Sequence, residues 1–432
     1  MTINFLKKKI VQKTMQETDV SIVVKDILDH IRSGGDRALL EFAKKFDNWE
    51  GNIEVSSDII ENATKLVKQN VKDDILYAYR NIKVFAERQL ESITEFDLEV
   101  APGLNAGQKI IPLETAGCYV PGGRYSHIAS AVMTVTTAKA AGVKNIIACT
   151  PPNSNLTGHE SISNEMLYTL NLCGADKIFL VGGVQAIALM ANGLLGTQKA
   201  DIIVGPGNQY VAEAKRQIFG ATGIDLLAGP TDVLIIADEE ADAKLVATDL
   251  VSQAEHGHNS PVWLVTTSNV LAKKVLQLVP EIIEKLPDQN KLNASQAWQE
   301  LGEIILCSTR KDAVKIANEI APEHLHVQAT ELDWWKSELS CYGSLFLGEE
   351  TTVAFGDKAA GPNHVLPTSG AAKYTGGLSV HKFIKVVTWQ KAESRSLNRL
   401  AEVTANISRL EGMEGHALSA DVRLKKYRKE DY

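Results

Sequence analysis

Four short apolar runs, GCYVPGG (117–123), NIIACTPP (145–152), KIFLVGG (177–183) and DIIVGPG (201–207), decide the fold class of this chain. Each is rich in β-branched residues, and stretches of helix length ending in glycine, such as SAVMTVTTAKAAG (130–142) and NQYVAEAKRQIFG (208–220), alternate with them. A short continuous apolar run suits a strand buried on both faces, and strands alternating with helices build a parallel sheet covered on both sides. A second set, VLIIAD (233–238), VWLVTT (262–267), EIILCS (303–308) and SLFLG (344–348), repeats the pattern, with EADAKLVATDLVSQAEHG (240–257) and TRKDAVKIANEIA (309–321) as intervening helices. Two α/β units are expected, joined near Ala228, Gly229 and Pro230.

Outward from this centre the signals weaken. The 432 residues exceed one ordinary core and fit two to four domains of about 100–200 residues. The first hundred read as helices: DVSIVVKDILDHIRSGG (19–35), DRALLEFAKKF (36–46) and a charged segment over about 57–91 carry apolar residues at helical spacing, with Gly34 and Gly35 as a stop. Lys and Arg number 45 against 53 Asp and Glu, a formal charge of −8, which gives no electrostatic ground for a nucleic-acid or anionic-membrane partner. No apolar run approaches the ~20 residues that span a bilayer, and MTINFLKKKIVQKT lacks a signal peptide's apolar core, so a cytoplasmic location is expected. Cys118, Cys149, Cys173, Cys307 and Cys341 are scattered, form no CxxC pair and read as reduced core residues.

Ligands of parallel α/β sheets bind beyond the carboxyl ends of strands, where helix N-termini offer free N–H groups. Here those ends carry Gly122 and Gly123, Gly182 and Gly183, and Gly205 and Gly207, with Tyr119, Gln185 and Asn208 beside them. A phosphate-bearing cofactor and simple tight turns both fit, since there is no GxGxxG and no Walker lysine. DLVSQAEHGH (249–258) sets Gln253 and His256 three residues apart near a helix end, so both share a face. An amide oxygen and an imidazole suit a borderline divalent ion such as zinc; the simpler account is a polar helix end whose His256 caps the last carbonyls.

APEHLHV (321–327) places Glu323 and His324 side by side after Pro322, where the preceding helix must end. The pair can divide acid/base work, or be two solvated turn residues. FGDKAAGPNHVLPTSG (355–370) holds Asp357 and His364 in a stretch too rich in glycine and proline for regular structure. Beyond the helical RSLNRLAEVTANISRL (395–410), EGMEGHALSADVR (411–423) carries Glu411 and His416. Gln253, His256, Asp357 and His416 are thus candidate metal ligands, and Glu323, His324, His364 and Glu411 candidate reacting or positioning groups. His30, His127, His159, His258, His326 and His381 keep a surface or structural reading.

In order and wording, YVPGG (119–123), VGGVQAIA (181–188), VGPGNQYVAEAKR (204–216), AGPTDVLIIAD (228–238), DLVSQAEHG (249–257), APEHL (321–325), GPNHVLPT (361–368) and EGMEGHA (411–417) closely resemble the histidinol dehydrogenase family over nearly the whole chain. The resemblance implies two incomplete Rossmann-like α/β domains with parallel sheets, plus small helical N- and C-terminal domains, in an intertwined homodimer. It divides the chain into a helical arm at 1–15, a first α/β domain at 16–118 and 231–378, a second at 119–230, and a tail domain at 379–432 that completes the partner's site. It implies one Zn2+ per subunit on Gln253, His256, Asp357 and His416, acid/base roles for Glu323 and His324, and NAD contacts at Tyr119, Gln185 and Asn208. The substrate would meet Thr231, His364 and Glu411 together with His324 and the four ligands. Many members have Ser-Glu where Thr231 and Asp232 stand, so Thr231 would supply the substrate-contacting hydroxyl, with an extra methyl group.

The implied reaction is the four-electron oxidation of L-histidinol to L-histidine through L-histidinaldehyde, with two NAD+, the last step of histidine biosynthesis. His324 would take the alcohol proton and serve again in the second oxidation, while Glu323 would activate water. The presence of both His364 and Glu411 argues against a relative acting on another small polar alcohol. A zinc hydrolase would use similar ligands but leave Tyr119, Gln185 and Asn208 without a role, and a structural metal site would not need so many bases.

Overall fold

The computed structural model describes residues 4–10, 18–122, 127–153, 161–227 and 229–427; Gly123, His159 and Ala228 lie outside them. The chain begins β1 (Asn4–Lys7), α1 (Thr18–Asp47), α2 (Ser57–Leu66), α3 (Gln69–Glu91), β2 (Phe96–Ala101) and β3 (Leu104–Pro112). A first alternating run follows: β4 (Thr115–Tyr119), α4 (Ile128–Ala140), β5 (Asn145–Thr150), α5 (Asn164–Cys173), β6 (Lys177–Leu180), α6 (Gly183–Asn192), β7 (Ile202–Val204), α7 (Gln209–Ile218) and β8 (Gly223–Ile224). A second comprises β9 (Val233–Ala237), α8 (Ala243–Ala254), β10 (Val262–Thr266), α9 (Asn269–Ile283), α10 (Asp288–Leu301), β11 (Glu303–Leu306), α11 (Arg310–Ile320), β12 (His324–Gln328), α12 (Leu332–Glu338), β13 (Ser344–Leu347) and α13 (Val353–Lys358). The chain closes with β14 (Ile384–Ala392), α14 (Ser394–Leu410) and α15 (Glu414–Tyr427).

Two units result, Met1–Leu90 with Leu113–Phe383, and Glu91–Pro112 with Ile384–Tyr432. The first holds both expected parallel sheets, in the orders β6-β5-β4-β7-β8 and β1-β11-β10-β9-β12-β13. All eight apolar runs are strands and, except in the edge strand β13, their central residues are buried on both faces, as in Val233–Ala237. Burying an aliphatic side chain stabilises by roughly 1.5–3 kcal/mol, so these runs dominate the hydrophobic drive toward this topology.

Several expectations at the margins are corrected. The part of the 1–15 arm that is described is a strand, β1, paired antiparallel with β11 (Phe5 opposite Ile305), because NFLK completes an otherwise open sheet edge. α1 packs on α6 and α7, and α2 on α5, so these helices cover the five-stranded sheet rather than joining the 231–378 half. The 118/119 boundary cuts β4, which belongs whole to that same sheet. Residues 96–100, within the stretch read as helical, belong to strand β2, because β2 pairs with β3, which also pairs with the distant β14. Gly34 and Gly35 do break the first helix: Gly35 has φ 60° and ψ −145°.

The second unit consists of the antiparallel sheet β14-β3-β2 and the hairpin α14–α15. Ala401, Ala405, Ala417 and Ala420 form the buried seam of that hairpin, small side chains that let two helices approach closely. Among the described residues, no helix is long and apolar enough to cross a membrane.

Candidate functional site

In the six-stranded sheet the candidate bases sit at the amino ends of strands, opposite to the carboxyl ends at which ligands of such sheets generally bind. Glu323 immediately precedes β12, His324 is its first residue and pairs in register with Val233, and Asp232 immediately precedes β9. Asp232 addresses both candidate bases. Its Oδ1 accepts from Glu323 N–H at 2.7 Å, its own N–H donates to Glu323 Oε2 at 3.1 Å, and its carbonyl lies 2.8 Å from His324 Nδ1. A carbonyl can only accept, so His324 carries a proton on Nδ1, and in the neutral ring Nε2 is the free base. Nε2 is buried without a hydrogen-bond partner and lies 3.5 Å from Asp357 Oδ1.

A hydrogen-bonded cluster brings Gln253 and Asp357 to that point. Asp249, on α8 one turn before Gln253, accepts from Gln328 Nε2 at 2.7 Å and from the Thr352 hydroxyl at 3.0 Å, and faces His326 Nδ1 at 3.4 Å. His326 is completed by the Gly348 carbonyl at 2.9 Å. Since Thr352 caps α13, this cluster ties α8 and α13 to β12. α13 itself corrects the expectation of irregular structure at 355–358: its Thr352 cap comes before the glycine- and proline-rich part of the loop begins. Gly356 lets α13 lie on Phe346, where a Cβ would stand 2.6 Å from the ring.

Three of the four candidate ligands therefore converge within the first unit. Gln253 Nε2 is 3.5 Å from Asp357 Oδ2, and His256 Nε2 is 4.0 Å from the same oxygen. Gln253 Oε1 is buried and unpartnered, a state that costs about 1–3 kcal/mol unless something supplies the missing contact. Among the described residues no three His, Cys, Asp or Glu side chains form a metal cluster; the donors here are one amide, one imidazole and one carboxylate. That mixed N/O set and the orphaned amide oxygen fit a borderline divalent ion. Glu411, the cap of α14, and His416, in the first turns of α15, lie in the second unit, where His416 lines a groove between those helices.

Burial pushes the Glu323 carboxyl up to about 7, although His324 and a hydrogen bond from the Thr231 hydroxyl pull the other way. Burial lowers His324, but the Glu323 and Asp357 carboxylates outweigh it and raise the imidazole to about 9. Burial alone would raise Asp357, yet contact with His324 and the charges of His364 and His256 hold it well below the usual carboxylate range. Asp232 is raised to about 6 by burial. His364 joins the cluster from the 355–370 loop, its Nδ1 2.8 Å from the Asp357 carbonyl and its Nε2 3.1 Å from the Ser130 hydroxyl of α4. Thr231 thus has its hydroxyl on the base Glu323.

The five-stranded sheet presents Tyr119, Gln185 and Asn208 at carboxyl ends, as expected. β5 and β6 lie to one side of β4 and β7 to the other, so the strand order reverses at the β4–β7 pair, where such sheets leave a ligand crevice. Each of the three already has a structural bond. The Tyr119 hydroxyl accepts from Gly183 N–H at 3.3 Å, Gln185 Nε2 donates to Asp47 Oδ2 at 2.9 Å, and Asn208 caps α7 through Tyr210 N–H at 3.0 Å and Val211 N–H at 3.1 Å.

Sequence reasoning did not single out Asp47, Ser130 or Asp249, and noted Asp232 only beside Thr231. Asp249 had a signal, since it stands four residues before Gln253 on one helix face. Asp47 and Ser130 had none, because their partners are distant in sequence. Of the residues given a structural reading, His326 is buried in the Asp249 cluster, while His30, His258 and His381 are exposed.

A family model for histidinol dehydrogenase matches residues 10–424. The chain is 56% identical over 427 residues to a protein of Ruegeria pomeroyi named sulfopropanediol 3-dehydrogenase, covering 99% of this chain and 97% of that one. A histidinol dehydrogenase of Methanosarcina mazei is 38% identical over 406 residues, covering 94% and 92%. The crystal structure of histidinol dehydrogenase from Elizabethkingia anophelis superposes with a TM-score of 0.90 at 35% identity, covering 98% of this chain and 95% of that one.

Proposed function

As the chain belongs to the histidinol dehydrogenase family and is an oxidoreductase of that kind, we propose that it oxidises a small polar primary alcohol through its aldehyde to the carboxylate, using NAD+ and a divalent metal ion. The observation that carries this reading is the buried Glu323–His324 pair beside Asp357, with Gln253 Oε1 and His324 Nε2 left without partners in the same place.

The reaction balances as one alcohol, two NAD+ and one water giving one carboxylate, two NADH and three protons. A metal ion, zinc by family resemblance, held by Gln253, His256, Asp357 and His416 would polarise and orient the substrate hydroxyl. NAD+, at the strand ends near Tyr119, Gln185 and Asn208, would accept each hydride. His324 Nε2 takes the hydroxyl proton as the first hydride leaves and must release it to solvent before acting again. Glu323 takes a proton from water as that water adds to the aldehyde, and His324 takes the hydrate's proton in the second oxidation. Asp232 holds both bases in place throughout.

For the substrate, the relatives favour a sulfonated propanediol, because the protein so named is 56% identical whereas the Methanosarcina histidinol dehydrogenase is 38% identical. L-histidinol is the second reading; it rests on the presence of His364 and Glu411, an argument weakened by the 56% relative. The assembly is read as a homodimer with shared sites. Supporting this, Glu411 and His416 sit in a separate unit that leaves Leu410, Leu418 and Val422 exposed, at 88%, 53% and 58%.

NADH formation from a 2,3-dihydroxypropane sulfonate and from L-histidinol, each with and without chelator, tests the reading. Two NADH per sulfonated diol, abolished by chelator, is the expected result. Turnover of L-histidinol alone replaces the first substrate with the second, and turnover of neither by metal-loaded protein overturns both.

A further inference from the structure

Lys358 is the last residue of α13, directly after Asp357. It is exposed and, among the described residues, makes no hydrogen bond or ion pair. It lines an open cavity of about 620 Å³ together with His127, Ser130, His256 and His364. That cavity adjoins a smaller one of about 120 Å³ where His324, Asp357 and His364 meet, so the cavities share His364. Two carboxylates also line the larger cavity: Asp74 on α3, and Glu255, which already accepts from Asn290 at 2.9 Å.

Lys358 thus shares the wall of one space with three imidazoles, His127, His256 and His364. His127 precedes α4 and makes no capping bond with its side chain, and Ile128, Ala129 and Ser130 of the first turn line the same cavity. Their N–H groups have no partner within the helix, because the first turn has no preceding carbonyls to donate to. Cation, imidazole and free amides thus line one space that adjoins the cavity where His324 and Asp357 meet.

We propose that Lys358 is a specificity-determining residue that pairs with the sulfonate of the substrate while the substrate's hydroxymethyl group lies at His324 and Asp357. This rests on the oxidation proposed above at that site and adds the charge of the substrate it takes. A sulfonate offers three acceptor oxygens, enough for an ammonium, the His127 ring and a helix N–H at once. L-histidinol carries an ammonium group instead, which Lys358 would repel.

The test compares wild type, Lys358→Met and Lys358→Arg as full-length, metal-loaded protein. With 2,3-dihydroxypropane sulfonate, Lys358→Met is expected to raise KM by about tenfold or more, with a larger effect on KM than on kcat, and Lys358→Arg to restore most of it. KM for NAD+ should not move, and any L-histidinol oxidation should improve. Unchanged KM for the sulfonate overturns the inference, as does a rise in KM for NAD+ alone, which would assign the cation to the cofactor's phosphates. Should the wild type not oxidise the sulfonate, the substrate reading fails separately. Calorimetric titration with 2-hydroxyethanesulfonate then decides: binding weakened about tenfold by Lys358→Met keeps the anion-recognising role, and binding that is absent or unchanged ends it.

Discussion

Lys215→Met gives the sharpest test of how the fold holds its glycine-rich crevice. Lys215 on α7 and Asp225 after β8 form an ion pair whose side chains are 4% and 0% exposed. Asp225 Oδ2 accepts from Gly205 N–H at 2.7 Å and Oδ1 from Leu226 N–H at 2.7 Å, while Lys215 Nζ donates to the Gly205 carbonyl at 2.9 Å. Both backbone polar groups of Gly205 are thus clamped by one buried pair. Gly205 needs this because it has φ 116° and runs so close to β4 that a Cβ would stand 2.0 Å from the Tyr119 carbonyl oxygen. Removing the lysine leaves an uncompensated buried carboxylate, a loss of about 3–5 kcal/mol. The double variant Lys215→Met with Asp225→Asn leaves no charge; beyond the donor lost by the Gly205 carbonyl, which is common to both variants, it leaves about one unsatisfied N–H, at roughly 1–3 kcal/mol. The double variant should therefore be more stable than the single one, by about 2 kcal/mol. Urea unfolding followed by circular dichroism measures this, and KM for NAD+ should rise in both variants because Gly205 loses its clamps. A single variant as stable as wild type, with unchanged KM for NAD+, would refute the assignment of loop geometry to this pair.

Four further outcomes are expected. His256→Ala should lose bound metal and turnover together while keeping its circular dichroism spectrum, because His256 follows the end of α8; full activity in metal-free protein would contradict the ligand set. Glu323 and His324 are both raised, to about 7 and about 9, and both must be proton-free to act, so kcat should be low in acid and climb as pH passes through 7 toward 9. Glu323→Gln should abolish carboxylate formation yet retain some first hydride transfer in a single turnover; loss of that first transfer with aldehyde oxidation intact would reverse the two roles. Co-expressed His416→Ala and His256→Ala chains should regain activity approaching half the native value per mixed dimer if tails cross between subunits, since one site then carries both lesions and the other none. A dead mixture would refute crossing and leave the metal assignment standing.

The eight apolar runs were legible because a strand buried on both faces must be apolar at every position, whatever it pairs with. β2 was not, since FDLEVA is exposed along its whole length and owes its conformation to β3 rather than to its own burial. β1 is only four residues, too short for any period to show, and α13 was masked by the glycines and proline that follow it. The site residues themselves were named from the sequence, but only the family resemblance joined them, because Gln253 and Asp357 meet through Asp249, His326, Gln328 and Thr352, residues of α8, β12 and the α13 cap spread over about a hundred positions. No local spacing encodes such a cluster.

The use of opposite strand ends in the two sheets has a physical logic. Carboxyl ends suit a dinucleotide, because the helices that follow point free N–H groups at its phosphates. Amino ends lack that positive field, and the six-stranded sheet fills them with groups that carry protons instead, Asp232, Glu323 and His324. α4 joins the two. It follows the carboxyl end of β4 and Gly122, its Ser130 hydroxyl meets His364, its Met133 carbonyl accepts from Asn363 at 2.9 Å, and His364 rests on the Asp357 carbonyl. One helix therefore links the glycine-rich crevice, through His364, to the backbone of Asp357, whose carboxylate lies beside the free imidazole nitrogen. Hydride transfer requires donor carbon and acceptor ring within contact distance. Ser130→Val, which removes the hydroxyl that ties α4 to His364, should accordingly reduce kcat far more than it weakens binding of either alcohol or NAD+.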